Sequence, residues 1–264
     1  MGSQRIVWDL TGRGEYMNLL FFDVDGTLLE FSRGITEISP ELKEALQTLR
    51  RNGDRYFIST GRSHGAIPPA ILELDPDGYS LCAGAFVTAC GREIRNVHFS
   101  QETLDFVLNR LDQFPTIQYL ECGFDLYTNQ YGKAPLKDFN ERFGIPEENL
   151  KPLQSTRGLR VNKLSVTFKN KADIETMQDF SDHGLTVLMQ PSPDSFDITL
   201  SHSTKRDGMK AILDELDPRR VSRVYAFGDN YNDLEMIEFA DVGVAMGNSP
   251  KDLKDIADYV TGSV

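Results

Sequence analysis

Leu19-Leu20-Phe21-Phe22-Asp23-Val24-Asp25-Gly26-Thr27 sets an unbroken apolar run against two carboxylates one residue apart and a glycine. An apolar run of this length, bounded by acidic and glycine residues, reads as a strand buried on both faces, the mark of a central strand in a parallel sheet. Asp23, Asp25 and Gly26 then fall at its C-terminal end, beside a turn of exposed N–H groups able to bind phosphate oxygens. Alone, the run supports no more than a solvated turn, because Asp and Gly are ordinary turn formers. It is no EF-hand loop, since no bidentate Glu stands at the twelfth position.

Outward from this strand the pattern repeats. Ser39-Pro40-Glu41 supplies an N-cap and a proline at the first helical position, and Leu42, Ala45, Leu46 and Leu49 recur at helical spacing until Asn52-Gly53. Tyr56-Phe57-Ile58 forms a second strand, Thr60-Gly61-Arg62 a turn, and a helix through Ile71 and Leu74 precedes a third strand at Tyr79 to Cys82. Such alternation predicts an α/β fold with a Rossmann-like, doubly wound parallel sheet whose site lies at the strand C-terminal ends.

The texture changes after Cys82. Strands are expected at Ala85 to Ala89, Glu93 to Phe99, Ile117 to Glu121, Leu164 to Phe168 and Thr186 to Met189, with a helix from Gln101 to about Gln113. Further helix or strand candidates lie at Lys137 to Phe143 and Asp173 to Asp182, and Gln190-Pro191-Ser192-Pro193 closes the segment. The doubly wound pattern then returns through a helix at Lys205 to Leu216, strands at Val221 to Phe227 and Val242 to Ala245, and helices at Asp233 to Phe239 and Pro250 to Ile256. The expected organisation is a discontinuous core, residues 17–83 and 194–264, interrupted by an inserted α/β cap at 84–193 that excludes water and selects the substrate. Met1 to Tyr16 reads as an extension ahead of Met17.

Composition narrows the partners. The 264 residues are 40% hydrophobic and 26% charged, ordinary for a globular protein, and the formal net charge of -12 opposes binding to nucleic acid or anionic membrane. Cys82, Cys90 and Cys122 are odd in number and lack metal-ligand spacing, which fits a reducing, cytoplasmic setting. The apolar runs fall far short of the ~20 residues that span a bilayer. A small phosphorylated metabolite remains a suitable partner where local carboxylates hold a divalent cation.

Later strand ends supply that site. Thr60-Gly61 offers a hydroxyl and an amide, Lys205 opens the helix after the insertion, and Gly228-Asp229-Asn230-Tyr231-Asn232-Asp233 ends a strand with two more carboxylates. Mutually repelling carboxylates ask for a cation, and an oxygen-rich site with few protein ligands suits Mg²⁺. The four histidines do not cluster with the cysteines, so zinc is not indicated.

Taken in order, Asp23-x-Asp25-Gly26-Thr27, Thr60 in Ser59-Thr60-Gly61-Arg62, Lys205 with Gly208, and Gly228-Asp229-x-x-Asn232-Asp233 resemble the four signatures of the haloacid dehalogenase-like superfamily of phosphohydrolases. Gly243-Val244-Ala245-Met246-Gly247-Asn248 and Ala257-Asp258-Tyr259-Val260-Thr261 look like its Cof-type branch, which carries a large α/β cap. The resemblance implies a phosphatase acting on small phosphate monoesters, sugar phosphates being the favoured class. Asp23 would be the nucleophile forming an aspartyl-phosphate, and Asp25 the general acid and base, a role that needs a proton near neutral pH. Mg²⁺ would be held by Asp23, the Asp25 carbonyl and Asp229, with Asp233 orienting metal waters or Lys205 from behind. Lys205, Thr60, the amides of Gly26 and Gly61, and Asn232 would bind the phosphoryl group.

Two departures stand out: Ala83-Gly84-Ala85 replaces the branch's usual Asn-Gly-Ala, and the chain stops at Val264 where relatives often continue into a last helix. Within the cap, Glu121, Asp125, Tyr127, Lys133, Lys137, Arg142, Arg160, Asn162 and Lys163 could face substrate or plain solvent. A phosphomutase using the same nucleophile, or a binding protein that keeps the fold without turnover, are the competing functions.

Overall fold

β1 (Met17–Phe22) runs between β2 (Arg55–Ser59) and β12 (Val221–Gly228), parallel to both, in a computed structural model of the chain. The structure describes residues 16–130, 132, 133, 136, 140, 141, 143–168, 170, 173, 180, 183–190 and 194–264, so the extension ahead of Tyr16 lies outside it. The chain divides into two compact units, one of residues up to Gly61, Pro68–Arg95 and Thr204–Val264, the other of Arg62–Ile67 and Asn96–Ser203.

In the first unit, β1, β2 and β12 join β3 (Gly78–Leu81), β4 (Phe86–Ala89), β5 (Arg92–Asn96), β13 (Val242–Ala245) and β14 (Tyr259–Val260) in the order β14-β13-β12-β1-β2-β3-β4-β5. Phe21 stacks on Phe57 at 5.0 Å and Phe22 on Phe227 at 4.6 Å, so the apolar run before Asp23 locks the three central strands side by side. Helix α1 (Pro40–Asn52) starts where the Ser39 side chain accepts the Leu42 N–H and stops at Gly53, φ 92°, as the cap signals require. Helix α2 is a single turn, Pro69–Leu72, shorter than the expected helix through Leu74.

The expected boundaries of the insertion shift. Phe86–Ala89 pairs antiparallel with β3, and β5 continues outward from it, so this hairpin extends the core sheet where sequence placed it in the cap. The change from parallel to antiparallel pairing, and not a change of domain, produces the altered texture after Cys82. At the other end Ser195–Leu200, assigned by sequence to the core half, is β11 of the second unit.

That unit has its own six-stranded sheet, β10-β11-β9-β6-β7-β8, built from β6 (Thr116–Cys122), β7 (Asp125–Thr128), β8 (Leu150–Pro152), β9 (Lys163–Phe168), β10 (Leu185–Met189) and β11 (Ser195–Leu200). Helix α3 (Gln101–Leu111), capped by Ser100, buries Leu104, Val107 and Leu111 with Leu120, Leu164, Val166, Phe196 and Ile198. The element candidates Lys137 to Phe143 and Asp173 to Asp182 lie largely outside the described residues. Helices α4 (Lys205–Asp214), α5 (Leu234–Phe239) and α6 (Lys251–Ile256) return to the first unit, with Met209, Ile212, Met236, Ile237 and Leu253 in its core.

Candidate active site

Three strand ends and one helix start converge. Asp23 follows β1 and is 4% exposed, its N–H donating to the Phe227 carbonyl at 3.0 Å, which aligns it with the end of β12. Lys205 is the first residue of α4, whose N-cap Thr204 forms a reciprocal capping box with Asp207. Its ammonium lies 2.5 Å from Asp23 Oδ1 and 2.5 Å from Asp233 Oδ1, and is itself buried.

Asp233 has both oxygens engaged. Oδ1 meets Lys205, while Oδ2 accepts the N–H groups of Asp229 and Asn230, each at 3.0 Å. The fully buried Asp233 is thus the organiser of the loop after β12, and its carboxylate is committed to the protein. Asp229, half-buried, accepts from Asn248 Nδ2 at 3.1 Å, and the same amide donates to the Gly26 carbonyl at 2.9 Å. Asn248 was not among the residues assigned a role from sequence; its signal was the Cof-type stretch ending in Gly247-Asn248.

Gly26 has a different role from the expected one. Its N–H donates to the Leu29 carbonyl at 2.7 Å, closing the loop after Asp25, so the amide is turned to the chain and away from a phosphate. Gly26 takes φ 83°, and a Cβ there would stand 2.1 Å from Asp229 Oδ2. Glycine is required for Asp229 to approach the loop. Asp25 is exposed beside it, and Asn232 is also exposed, on the short turn Tyr231–Asp233.

Thr60 ends β2, 1% exposed, its N–H donating to the Ser80 carbonyl at 2.8 Å and its carbonyl accepting the Ala83 N–H at 3.1 Å. Cys82, Ala83 and Gly84 all take positive φ, of 51°, 54° and 84°. A Cβ on Gly84 would lie 2.0 Å from the Thr204 carbonyl, so one tight loop buttresses both Thr60 and the start of α4. Backbone contacts do this work without the polar side chain that Ala83 lacks.

The electrostatics are those of crowded acids. Burial, then the charge of Asp233, pushes the Asp23 carboxyl well above its ordinary range, with Lys205 pulling the other way and Asp25 and Asp229 adding to the rise. Burial and Asp233 likewise raise Asp229 to about 7. Burial disfavours the Lys205 ammonium, but Asp23 and Asp233 outweigh it, and Lys205 stays charged. Among the described residues, oxygen atoms of Asp23, Asp229 and Asp233 lie within 4.8 Å of one another. An all-oxygen set whose carboxylates resist ionisation together fits a hard divalent cation. With Asp233 held by Lys205 and two amides, Asp23 and Asp229 are the carboxylates suited to hold it.

Several cap candidates are not solvent-facing. Glu121 and Lys163 are buried and 2.9 Å apart, and Asn162 donates to Asn96 Oδ1 and the Val97 carbonyl. Asp125 pairs with Lys151 at the surface, Lys133 is exposed, and Lys137 and Arg142 lie outside the described residues.

Known proteins resemble this chain in sequence and fold. The chain is 29% identical over 255 residues to YkrA of Bacillus subtilis (strain 168), with 93% of this chain and 92% of that protein covered. It is 26% identical over 260 residues to the pyridoxal phosphate phosphatase YbhA of Escherichia coli (strain K12), covering 92% and 93%. The solved structure of the HAD subclass IIB sugar phosphatase BT4131 superposes with a TM-score of 0.77 at 24% identity, covering 93% of this chain and 94% of that one. The haloacid dehalogenase-like hydrolase family matches residues 20–264, and the chain belongs to that family, in its Cof-type branch.

Proposed function

We propose that the protein is a Mg²⁺-dependent phosphatase that hydrolyses small phosphate monoesters, sugar phosphates foremost, through an aspartyl-phosphate on Asp23. The observation that carries this reading is the buried Asp23–Lys205 pair at the end of β1, a carboxylate and a cation in one desolvated site with Asp229 and Asp233 beside them. The phosphatase class accords with the family and with relatives such as YwpJ, named a phosphatase, and YbhA, named for pyridoxal phosphate.

A carboxylate oxygen of Asp23 attacks phosphorus, the bond to the leaving alkoxide breaks, and Asp25 gives that alkoxide its proton. Asp25 then takes a proton from water, the water attacks the phosphorus of the acyl phosphate, and Asp23 leaves as carboxylate with release of inorganic phosphate. Lys205 and the Thr60 hydroxyl hold phosphoryl oxygens throughout, with the Gly61 amide beside them. Asp233 keeps Lys205 aimed and charged. Mg²⁺, held by Asp23, the Asp25 carbonyl and Asp229, would neutralise charge on the transferring phosphoryl group. The inserted unit would select the leaving group.

Phosphate release from a metabolite panel, with p-nitrophenyl phosphate as the generic substrate, tests the reading. Turnover that requires Mg²⁺ and falls by at least about four orders of magnitude in Asp23→Asn is the expected result. An active Asp23→Asn enzyme would remove the mechanism.

A further inference from the structure

Arg62–Ile67 leaves the core directly after Thr60-Gly61 and is stitched into the inserted unit from Arg62 to Ala66. The Ser63 N–H donates to Glu121 Oε2 at 2.5 Å, the His64 N–H to the Gly123 carbonyl at 2.9 Å, and Asn149 Nδ2 to the Gly65 carbonyl at 3.1 Å. Arg62 Nη1 donates to the carbonyls of Ala66 and Phe143 at 2.8 and 2.7 Å, and Ala66 is buried against Ile117, Tyr119 and Leu126.

Glu121 is the unusual member. It sits in β6, 3% exposed, and its other oxygen accepts from Ser165 Oγ at 2.8 Å and lies 2.9 Å from the Lys163 ammonium. Lys163 is 3.1 Å from Asp197, whose Oδ1 accepts from Gln190 Nε2 and lies near Ser165 Oγ, each at 2.7 Å. A buried ion pair of this kind gives little stability over apolar packing of the same volume, so what it contributes is geometry. An apolar residue at 121 would fill the space but could not hold the Ser63 amide.

We infer that Glu121 is a positioning residue for phosphoryl transfer: by fastening the strap Arg62–Ile67 to β6, it fixes the adjoining turn Thr60-Gly61 that grips the phosphate. This rests on the phosphate-binding role proposed for that turn. The coupling runs along the chain, since Arg62 is bonded to Gly61 and leaves only the backbone torsions at the junction to absorb movement. Loss of an ångström of placement at a group that orients the reacting phosphate lowers the rate of the chemical step more than it weakens ground-state binding.

Ser63 offers a clean test. Its φ of -76° and ψ of 165° suit proline, so Ser63→Pro deletes the N–H donor at torsions the ring can take, and the ring Cδ, standing where the hydrogen was, pushes the Glu121 carboxylate away. Ser63→Ala deletes only a hydroxyl that has no hydrogen-bond partner among the described residues and leaves the N–H in place. With p-nitrophenyl phosphate and Mg²⁺, Ser63→Pro and Glu121→Leu are expected to lower kcat about 10- to 100-fold with KM changed less than about threefold, while Ser63→Ala stays within about twofold of the wild type. Amide hydrogen exchange should quicken at Thr60, Gly61 and Ser63-flanking residues in both impaired variants, with Leu164 to Val166 in β9 unchanged. Wild-type kcat and exchange in a folded Ser63→Pro protein would overturn the inference, as would equal damage from Ser63→Ala. If Ser63→Pro does not fold, Glu121→Leu decides by the same two readouts. A wild-type protein without phosphatase activity would sink the proposed function, and the exchange pattern would still decide the strap.

Discussion

Lys205 Nζ meets Asp23 Oδ1 across 2.5 Å with neither side chain more than 5% exposed. The ammonium is also what separates Asp23 from Asp233. Lys205→Met would leave two buried carboxylates facing each other, a loss of about 3–5 kcal/mol at pH 8 by comparison with other broken buried pairs. Urea unfolding of the metal-free variant checks this, and the deficit should shrink on acidification as one carboxyl takes a proton. A variant as stable as the wild type at pH 8 would contradict it.

Asn248 holds the Asp229 carboxylate and the Gly26 carbonyl with one amide group. Residues that orient a metal-binding carboxylate typically contribute 10- to 100-fold to affinity, so Asn248→Ala should raise the half-saturating Mg²⁺ concentration about tenfold. Activity at saturating Mg²⁺ should stay close to the wild type. An unchanged Mg²⁺ titration would remove Asn248 from the site.

Asp229 titrates at about 7 in the folded chain without a cation, against 3.8 for the ordinary group. Between those values the folded state keeps a proton that the unfolded state has released, so metal-free stability falls as pH rises from about 4 to about 7. Asp23 shifts in the same direction and adds to the slope. Mg²⁺ competes with those protons, so its affinity should climb with pH through 7 and its presence should flatten the decline. Melting curves in EDTA and in Mg²⁺ across pH 5–8 measure the difference; parallel curves would refute the cation site.

Ala83 carries φ 54° in the loop that seats Thr60 and α4. A left-handed conformation costs a Cβ-bearing residue about 1–2 kcal/mol, part of which glycine returns as unfolded-state entropy. Ala83→Gly should therefore stabilise the protein by up to about 1 kcal/mol with little change in kcat, as read by urea unfolding and steady-state assay.

The sequence made the core legible where local signals were strong. The apolar run before Asp23, the Ser39 and Gly53 caps and the acidic run after Phe227 each name their element without help from distant residues. Pairing was harder. Phe86–Ala89 reads as a strand anywhere, and only its register with β3 places it in the core sheet. Ser195–Leu200 has the alternation of a strand, yet its membership depends on β9, far away in sequence. Among site residues, Asp23, Asp229, Asp233, Thr60 and Lys205 are brought to one end of the core. The Gly26 amide is spent inside its own loop, and Asn248 acts through a side-chain bond that spacing cannot reveal. Glu121 and Lys163 read from sequence only as groups facing substrate or solvent, because charged residues are surface residues by default, and only their partners explain their burial.

The pairing of β1 with β12 aligns Leu19 with Val224 and Phe22 with Phe227. On a ribosome those partners emerge on the order of 10–40 s apart, at roughly 5–20 residues per second. The second unit has most of its strands in hand well before then, whereas β1, an apolar ribbon, must wait with an edge exposed. Nascent chains of this protein therefore have an interval in which the β12-facing edge of β1 is unpaired. The carboxylates of Asp23 and Asp229 meet only after all six strands of the second unit have been synthesised, so a product truncated before β12 has no catalytic centre.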